Sequence, residues 1–239
     1  MNHCTDTSVA IHPDPTMAYQ FDFTFIPDYA GMLAQGVAYT VGLTVVGGTL
    51  GLGIGIAGAI SRLWNVRPFG ELYRYYVELF RNTPFLVQLF LIFFGLPSLG
   101  IKLEAWQAAI LAMVLNLGAY STEIIRAGLQ ATPRGQLEAA DSLAFTRWQI
   151  FLHVMLRPAL RKVWPALSSQ VVITMLGSSV CSQISTEELT FVANFIQSRN
   201  FRAFETYFLT TGMYFALALL IRQAMHLIGR YLIVRRPSR

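Results

Sequence analysis

The side chains that most often carry catalysis or bind metals are few in this sequence and lie far apart. Its four histidines and two cysteines show neither the spacing of a metal site nor an arrangement of histidine, serine and carboxylate. No phosphate-binding loop of the G-x-x-x-x-G-K-S/T type occurs, so the chain is not expected to hydrolyse ATP itself. The sequence therefore predicts no catalytic residue, no metal site and no cofactor in this chain.

Polar residues inside apolar stretches are better candidates for a function. They recur at helical spacing in two sets, which are Asn116, Tyr120 and Glu123, and then Gln170, Thr174, Ser178 and Ser182, with Ser179 beside them. Such residues are costly in a membrane and tend to face a protein interior or a cavity. Both sets either line a substrate path or hold helices together by hydrogen bonds. For Glu123 we expect an ion pair with Arg126 or Arg81.

The sequence as a whole is strongly apolar. Of its 239 residues, 54% are hydrophobic and 13% charged, about half the roughly 25% charged residues of a globular protein. The charges leave gaps of 33, 20, 18, 24 and 16 residues, and a membrane-spanning helix needs about 17–25 apolar residues. This pattern excludes a soluble enzyme, a nucleic-acid-binding module and a secreted disulfide-rich domain. It predicts an all-α integral membrane protein with about five transmembrane helices, at about 31–60, 75–98, 104–128, 163–184 and 204–232.

Basic residues are distributed unevenly over the connections between these helices. Of the 18 Lys and Arg residues, all but Lys102, Arg199 and Arg202 lie around the helix one–two connection, in the helix three–four connection, or towards the C-terminal end. Cytoplasmic segments collect Lys and Arg. We therefore predict that the N-terminus lies outside and the C-terminus inside.

The first 28 residues form a polar stretch without Lys or Arg. They lack the basic region and the apolar core of a signal peptide. In the predicted orientation residues 1–28 are a periplasmic tail, and residues 29–239 form the membrane domain. Whether translation starts at Met1 or at Met17 stays open.

Helix one is rich in small residues. Gly47, Gly51 and Gly55 recur every four residues and therefore lie along one side of the helix. Small residues at this spacing let two helix backbones approach closely in a bilayer. We predict that this side packs against another helix.

The connection at residues 129–160 is too polar to face lipid and too regular for a simple linker. Residues 136–143 are typical of a short helix, and Thr146-x-x-Gln149 is a capping box that begins a second one. The bend between them is apolar, and exposed apolar residues on a cytoplasmic loop predict a docking site. The residues that we predict for this docking site are Glu138, Ala139, Ala140, Leu143, Ala144 and Phe145.

Several runs of this sequence, in matching order, resemble one known family. Residues 138–144 (EAADSLA), followed by Phe151-x-x-Val154-x-Leu156, resemble the EAA loop of ATP-binding-cassette importer permeases. Residues 78–88 (ELFRNTPFLVQ) and 116–124 (NLGAYSTEI) resemble motifs of the polar amino acid branch of that family. The likeness covers about residues 30–232. It implies the type I ABC importer transmembrane-domain fold, with 129–160 as the cytoplasmic loop that couples the permease to an ATPase.

The chain departs from the family pattern at two informative places. Ala144 stands where the family usually has glycine, so the loop either bends with right-handed geometry or carries a strain of about 1 kcal/mol. A lysine common in helix four of the family is replaced by Leu176, and its acidic or amide neighbour by Gly177. At that depth this chain offers a charged substrate only neutral contacts.

The resemblance implies a permease subunit that forms half of the path for a polar or charged amino acid in a bacterial inner membrane. The implied partners are two ABC ATPases, which hold ATP and Mg, a periplasmic amino acid-binding protein, the lipid bilayer and a second permease, but no nucleic acid. Because of Leu176 we predict that the second permease is non-identical, although a homodimer with a neutral substrate stays open. Two other classes also stay open: a membrane-embedded protease-like enzyme that uses His153 or His226, and an energy-independent channel or carrier.

Overall fold

The fold consists of helices and their connections over residues 21–64 and 68–232, the part of the chain that this computed structural model describes, and no strand occurs there. Most of the predicted tail, including Met17, lies outside the described residues. The helices are α1 (Ile26–Leu63), α2 (Phe69–Arg81), α3 (Phe85–Phe90), α4 (Ala105–Gln130), α5 (Arg134–Ser142), α6 (Arg147–Gln149), α7 (Arg157–Gly177), α8 (Leu189–Asn200) and α9 (Ala203–Leu232). Leu91–Gly95 and Ile150–Leu156 are π-helical, and Leu96–Leu99 and Ser178–Ile184 are 3-10 helical.

Four helices are long and apolar enough to cross a membrane, namely Ile26–Leu63, Ala105–Gln130, Arg147–Ile184 and Ala203–Tyr231. The bent pair Phe69–Arg81 and Phe85–Leu99 passes the same test as a fifth, broken span. The prediction of an all-α membrane protein with about five spans is therefore confirmed.

The second span is not the single helix that we predicted for residues 75–98. It breaks between Arg81 and Phe85, and the two parts meet at 113°. Pro84 has an extended backbone, with ψ of 141°, and it has no N–H to continue the hydrogen bonds of α2. Proline also disfavours a helical conformation for Thr83, the residue before it. Pro84 therefore accounts for the break.

The fourth span begins much earlier than the predicted residue 163. The capping box at Thr146 is present: its N–H donates to Gln149 Oε1 at 2.9 Å, and the Gln149 N–H donates to Thr146 Oγ1 at 3.4 Å. From there α6 continues through the π-helical stretch into α7, so that residues 147–184 form one 38-residue helix. The second half of the predicted loop, from residue 147 onwards, thus belongs to the same continuous helix as the fourth span.

The connection between the predicted fourth and fifth transmembrane helices contains a further helix, α8. Its buried residues Leu189, Val192 and Ile196 lie at helical spacing and pack near the start of α1. The buried Glu188 begins the helix, because its Oε1 accepts the Phe191 N–H at 2.8 Å. Burial raises the pKa of Glu188 above its usual range. A helix of 12 residues is too short to span a membrane. The lengths of the uncharged stretches therefore did not predict it.

The predicted stripe of small residues, Gly47, Gly51 and Gly55, lies against α4. A Cβ atom on Gly47 would lie 3.2 Å from Met113 Cβ, and one on Gly51 would lie 3.0 Å from Leu117 Cβ. A Cβ atom on Gly55 would overlap Ser121. The absence of side chains on α1 lets the two helices approach closely along their central turns.

We expect Gly55→Ala to destabilise the protein, because the new methyl group overlaps Ser121 and overpacking costs about 1–3 kcal/mol. Gly53→Ala is the matched control, since a Cβ atom there meets nothing within 4 Å. Thermal unfolding of the purified protein in detergent should show a lower midpoint for Gly55→Ala and an unchanged or higher one for Gly53→Ala. Equal midpoints for the two variants would contradict this account of the contact.

Candidate functional site

An apolar surface is exposed where α5 turns into α6, and we call Leu143, Ala144, Phe145 and Trp148 the loop tip. The exposed fractions of Leu143, Phe145 and Trp148 are 70%, 41% and 53%. The Trp148 ring lies 5.5 Å from the ring of Trp64 at the end of α1 and 5.5 Å from that of Phe151. The loop tip is thus held by aromatic contacts at its base and presents apolar side chains at its end.

Ala144 has a left-handed backbone, with φ of 58°, so the loop carries strain rather than a right-handed bend. The Ala144 N–H donates to Asp141 O at 2.9 Å, and the Phe145 N–H donates to Ala140 O at 3.2 Å. These two bonds form a Schellman motif, which closes a helix and favours glycine at the left-handed position. The strain is local and costs about 1 kcal/mol.

We expect Ala144→Gly to stabilise the loop by about 1 kcal/mol, because glycine adopts a left-handed backbone without strain. Ala139→Gly is the opposed control: it lies inside α5 and is exposed, and glycine there destabilises the helix by roughly 0.5–1 kcal/mol. Hydrogen exchange of the α5 amides should slow in Ala144→Gly and quicken in Ala139→Gly. If both variants quicken exchange, the left-handed turn is not the source of the strain.

The other residues predicted for docking do not all face outwards. Glu138 and Ala139 are exposed, so they flank the loop tip on the same surface. Ala140 is only 5% exposed, and its carbonyl is part of the Schellman motif. Ala140 therefore supports the turn from inside and is not available to a partner, contrary to our prediction.

The side chain of Gln88, which is 6% exposed, bonds to two backbone carbonyls at the break in the second span. Its Nε2 donates to Phe80 O at 2.7 Å and to Thr83 O at 3.0 Å, two carbonyls released by the break. Its Oε1 accepts a hydrogen bond from Asn116 Nδ2 at 2.9 Å. Asn116, predicted for the path, is thus bound to the break. The signal for Gln88 was an amide in an apolar run four residues after Pro84.

The two remaining residues of the helix-three set contact basic side chains. The Arg81 guanidinium lies 5.7 Å from the centre of the Tyr120 ring, next to the break. Glu123 forms the expected ion pair with Arg126, and it also pairs with Arg62 at 2.8 Å. The contact with Arg62 joins α4 to α1 and could not be inferred from local spacing.

In the helix-four set, Thr174, Ser178 and Ser182 are buried, whereas Gln170 and Ser179 are partly exposed. Its hydroxyl groups donate to carbonyls of their own helix at 2.6–2.9 Å, in Thr174, Ser178, Ser179 and Ser182. Such bonds satisfy the hydroxyl locally and form no link to another helix. The neighbouring face is open and apolar, with Ile173 58% and Leu176 43% exposed. Gln170, whose carbonyl accepts the bond from Thr174, is half-buried.

Over the described ranges, no group of three or more His, Cys, Asp or Glu residues could hold a metal ion. Cys181 is a buried thiol without a disulfide. The most prominent features of the described residues are therefore an exposed apolar loop tip and a hydrogen-bonded helix break.

This arrangement defines a polytopic membrane protein with an exposed apolar loop and a broken span, and the comparisons identify its family. The family described as "Binding-protein-dependent transport system inner membrane component" matches residues 49–233. The L-cystine transport system permease protein TcyB of Bacillus subtilis is 34% identical over 202 residues, covering 84% of this chain and 86% of TcyB. The probable glutamine ABC transporter permease protein GlnM of the same organism is 32% identical over 192 residues, covering 80% and 89%.

A solved structure has the same fold. It is described as "Crystal structure of an amino acid ABC transporter with histidines", with a TM-score of 0.81, 34% identity and coverage of 89% of this chain and 100% of that chain. The chain belongs to the binding-protein-dependent transport system inner membrane components. It is a multi-pass permease subunit of an ABC importer and not an enzyme, and such permeases work with separate ATPases and a binding protein. The comparisons lend no support to the protease-like or channel alternatives.

Proposed function

We propose that this permease carries a polar amino acid across a bacterial inner membrane, and that the loop tip is the point where ATP hydrolysis drives it. The relatives named above are named for cystine and glutamine, which supports an amino acid as the substrate. The exposed apolar loop tip carries the proposal of coupling, because solvent-exposed patches of this kind mark interaction sites.

The continuous helix from residue 147 to residue 184 supports a mechanical role for the loop. At about 1.5 Å per residue, its 38 residues reach roughly 57 Å, more than the roughly 30 Å thickness of the hydrocarbon core. A movement imposed by an ATPase on the loop tip passes directly into the fourth span. A flexible connector would dissipate that movement, whereas a rigid helix transmits it.

The proposed orientation places the loop tip inside and α8 outside. In a variant without Cys4 and Cys181, we expect Gln136→Cys to resist an impermeant thiol reagent added to intact spheroplasts. Ser198→Cys, an exposed residue of α8, should react under the same conditions and serves as the control. Labelling at residue 136 with protection at residue 198 would invert the orientation.

The second permease subunit is proposed to be non-identical to this one. The open face of α7 is apolar at Ile173 and Leu176, so two copies of it would offer a charged substrate no countercharge. Desolvating such a group without a partner costs several kcal/mol. Mass analysis of the purified complex distinguishes the cases: two different permease chains support the proposal, and two copies of this chain with full transport activity contradict it.

A thermal-shift screen of the paired binding protein against the twenty amino acids tests the substrate class. At 100 times the Kd, a ligand stabilises its protein by about 2.7 kcal/mol, which is a shift of several degrees in the midpoint. We expect polar or charged amino acids to raise the midpoint. A binding protein that responds to none of them would contradict an amino acid substrate.

A further inference from the structure

Three aromatic rings join the end of α1 to the base of the loop tip, and we call Trp64, Trp148 and Phe151 the aromatic cluster. The Trp64 ring lies 5.2 Å from the Phe151 ring in an edge-to-face arrangement, and 5.5 Å from the Trp148 ring. The Trp148 ring is stacked 5.5 Å from the Phe151 ring. All three centroid distances are in the range in which aromatic rings attract one another. The cluster therefore holds the loop tip against α1.

Trp64 is fixed to α1 because its backbone closes the last turn of that helix. Its N–H donates to Ile60 O at 3.1 Å. Two residues earlier, Arg62 pairs with Glu123 of α4 at 2.8 Å. The end of α1 that carries the Trp64 ring is thus itself bound to α4.

Phe151 connects the cluster to the interior of the protein. Its side chain is 2% exposed, and it belongs to one hydrophobic core with Ala59 of α1 and with Ile125 and Leu129 of α4. The base of the loop tip, the end of α1 and the end of α4 are therefore packed as one unit.

The same packing continues to the break in the second span. A Cβ atom on Gly58 would overlap Tyr73 of α2 and Thr122 of α4, so three helices meet closely at this level. Further along α4, Asn116 donates to Gln88 beyond the break. Coupling between distant parts of a protein is carried by packed side chains and rigid elements of this kind. A displacement of α1 and α4 would therefore be passed to both parts of the second span.

We propose that Trp64 is a positioning residue for energy coupling. Its ring holds α1 to the loop tip, so that the first three spans move together with the fourth when an ATPase displaces the tip. Without this contact the tip drives mainly the span with which it is continuous. The inference rests on the proposed docking of an ATPase at the loop tip, but it concerns the step after docking.

Uptake per ATP hydrolysed, measured in proteoliposomes of the complete complex, tests this role. Two ring contacts of this kind together correspond to about a tenfold change in an equilibrium constant. We therefore expect Trp64→Ala to lower uptake per ATP about tenfold, while the ATPase still co-purifies and hydrolyses ATP. Trp64→Phe keeps a ring at this place and should retain most of the uptake. Tyr39→Ala, which removes an exposed ring from the other half of α1, is the matched control and should have no effect.

The distance between two spin labels measures whether α1 follows the loop tip, and a loss of stability alone does not move this readout. In a variant without Cys4 and Cys181, the labels are attached at Ala57→Cys of α1 and Gln136→Cys of α5, both at exposed positions. We expect the same distance with and without bound ATP. Once Trp64→Ala is added, the distance should change when ATP binds.

Three outcomes would overturn the inference. Loss of the ATPase from Trp64→Ala would mean that Trp64 belongs to the docking surface. Unchanged uptake per ATP in Trp64→Ala would mean that its ring transmits nothing. A label distance that changes with ATP while Trp64 is present would mean that α1 moves independently of the tip. A failure of the docking proposal, which would remove the basis of the inference as well, is seen separately, because the ATPase would then stay bound to the variant with Leu143→Asp and Phe145→Asp.

Discussion

Replacing Leu143 and Phe145 together with aspartate should abolish ATP-driven transport while leaving the membrane helices inserted. Both side chains are exposed at the loop tip and make the apolar surface that we assign to the ATPase. Truncating a hot-spot residue of an interface costs about 2 kcal/mol or more, and burying a charge in its place adds to that cost, so the affinity for the ATPase should fall about a hundredfold or more. Co-purification of the ATPase and uptake into proteoliposomes measure the two consequences.

The controls for this variant separate docking from folding. Gln130→Glu adds a negative charge on the same side of the membrane but away from the tip, and a glutamate there can still accept the hydrogen bond from Arg126. It should keep both the ATPase and transport. Glu138→Lys reverses a charge on the exposed flank of the tip and should also weaken docking, whereas Ala140→Trp would disturb the buried side of the turn. Normal uptake by the double aspartate variant would refute the docking assignment.

The second large effect is expected at the helix break, for Gln88→Leu. Leucine fills the space of the amide but leaves the carbonyls of Phe80 and Thr83 and the amide of Asn116 without their partner. Each buried polar group left unpaired costs about 1–3 kcal/mol. We expect a loss of several kcal/mol in the free energy of unfolding, measured by denaturant titration in detergent.

Two further variants rank the contributions at the break. Asn116→Leu removes only the contact to Gln88 Oε1 and should cost less than Gln88→Leu. Gln183→Leu, at an exposed residue in another apolar segment, should cost almost nothing. Equal stability of Gln88→Leu and Gln183→Leu would show that Gln88 does not hold the break.

The spans followed from the sequence because apolar length is a direct physical requirement of the bilayer. The gaps between charges located α1, α4 and α9 well, since nothing in those segments interrupts the helix. They could not separate α2 from α3, because a break inside an apolar run leaves the hydropathy unchanged and Pro84 is tolerated in some membrane helices. The helix α8 was not predicted either, because its 12 residues are too few to form an apolar stretch of membrane-spanning length.

The candidate site was only partly predictable for a related reason. Spacing placed Gly47, Gly51 and Gly55 on one side of α1, and the residues of that side indeed meet α4. The stripe of Thr174 and Ser178 was also on one side, but a hydroxyl group can bond to its own helix, so spacing alone does not say whether it faces a path. Gln88 bonds to Asn116, which lies 28 residues further along the chain, a contact that no local pattern indicates.

Uptake by a reconstituted complex measures whether the loop tip couples ATP hydrolysis to amino acid transport. Proteoliposomes are made with the permease complex, and labelled amino acid is supplied with the binding protein on the α8 side and ATP on the loop-tip side. We expect accumulation that requires the ATPase, ATP and the binding protein, and that disappears in the double aspartate variant of Leu143 and Phe145. Accumulation without ATP, or accumulation that survives this variant, would contradict this coupling.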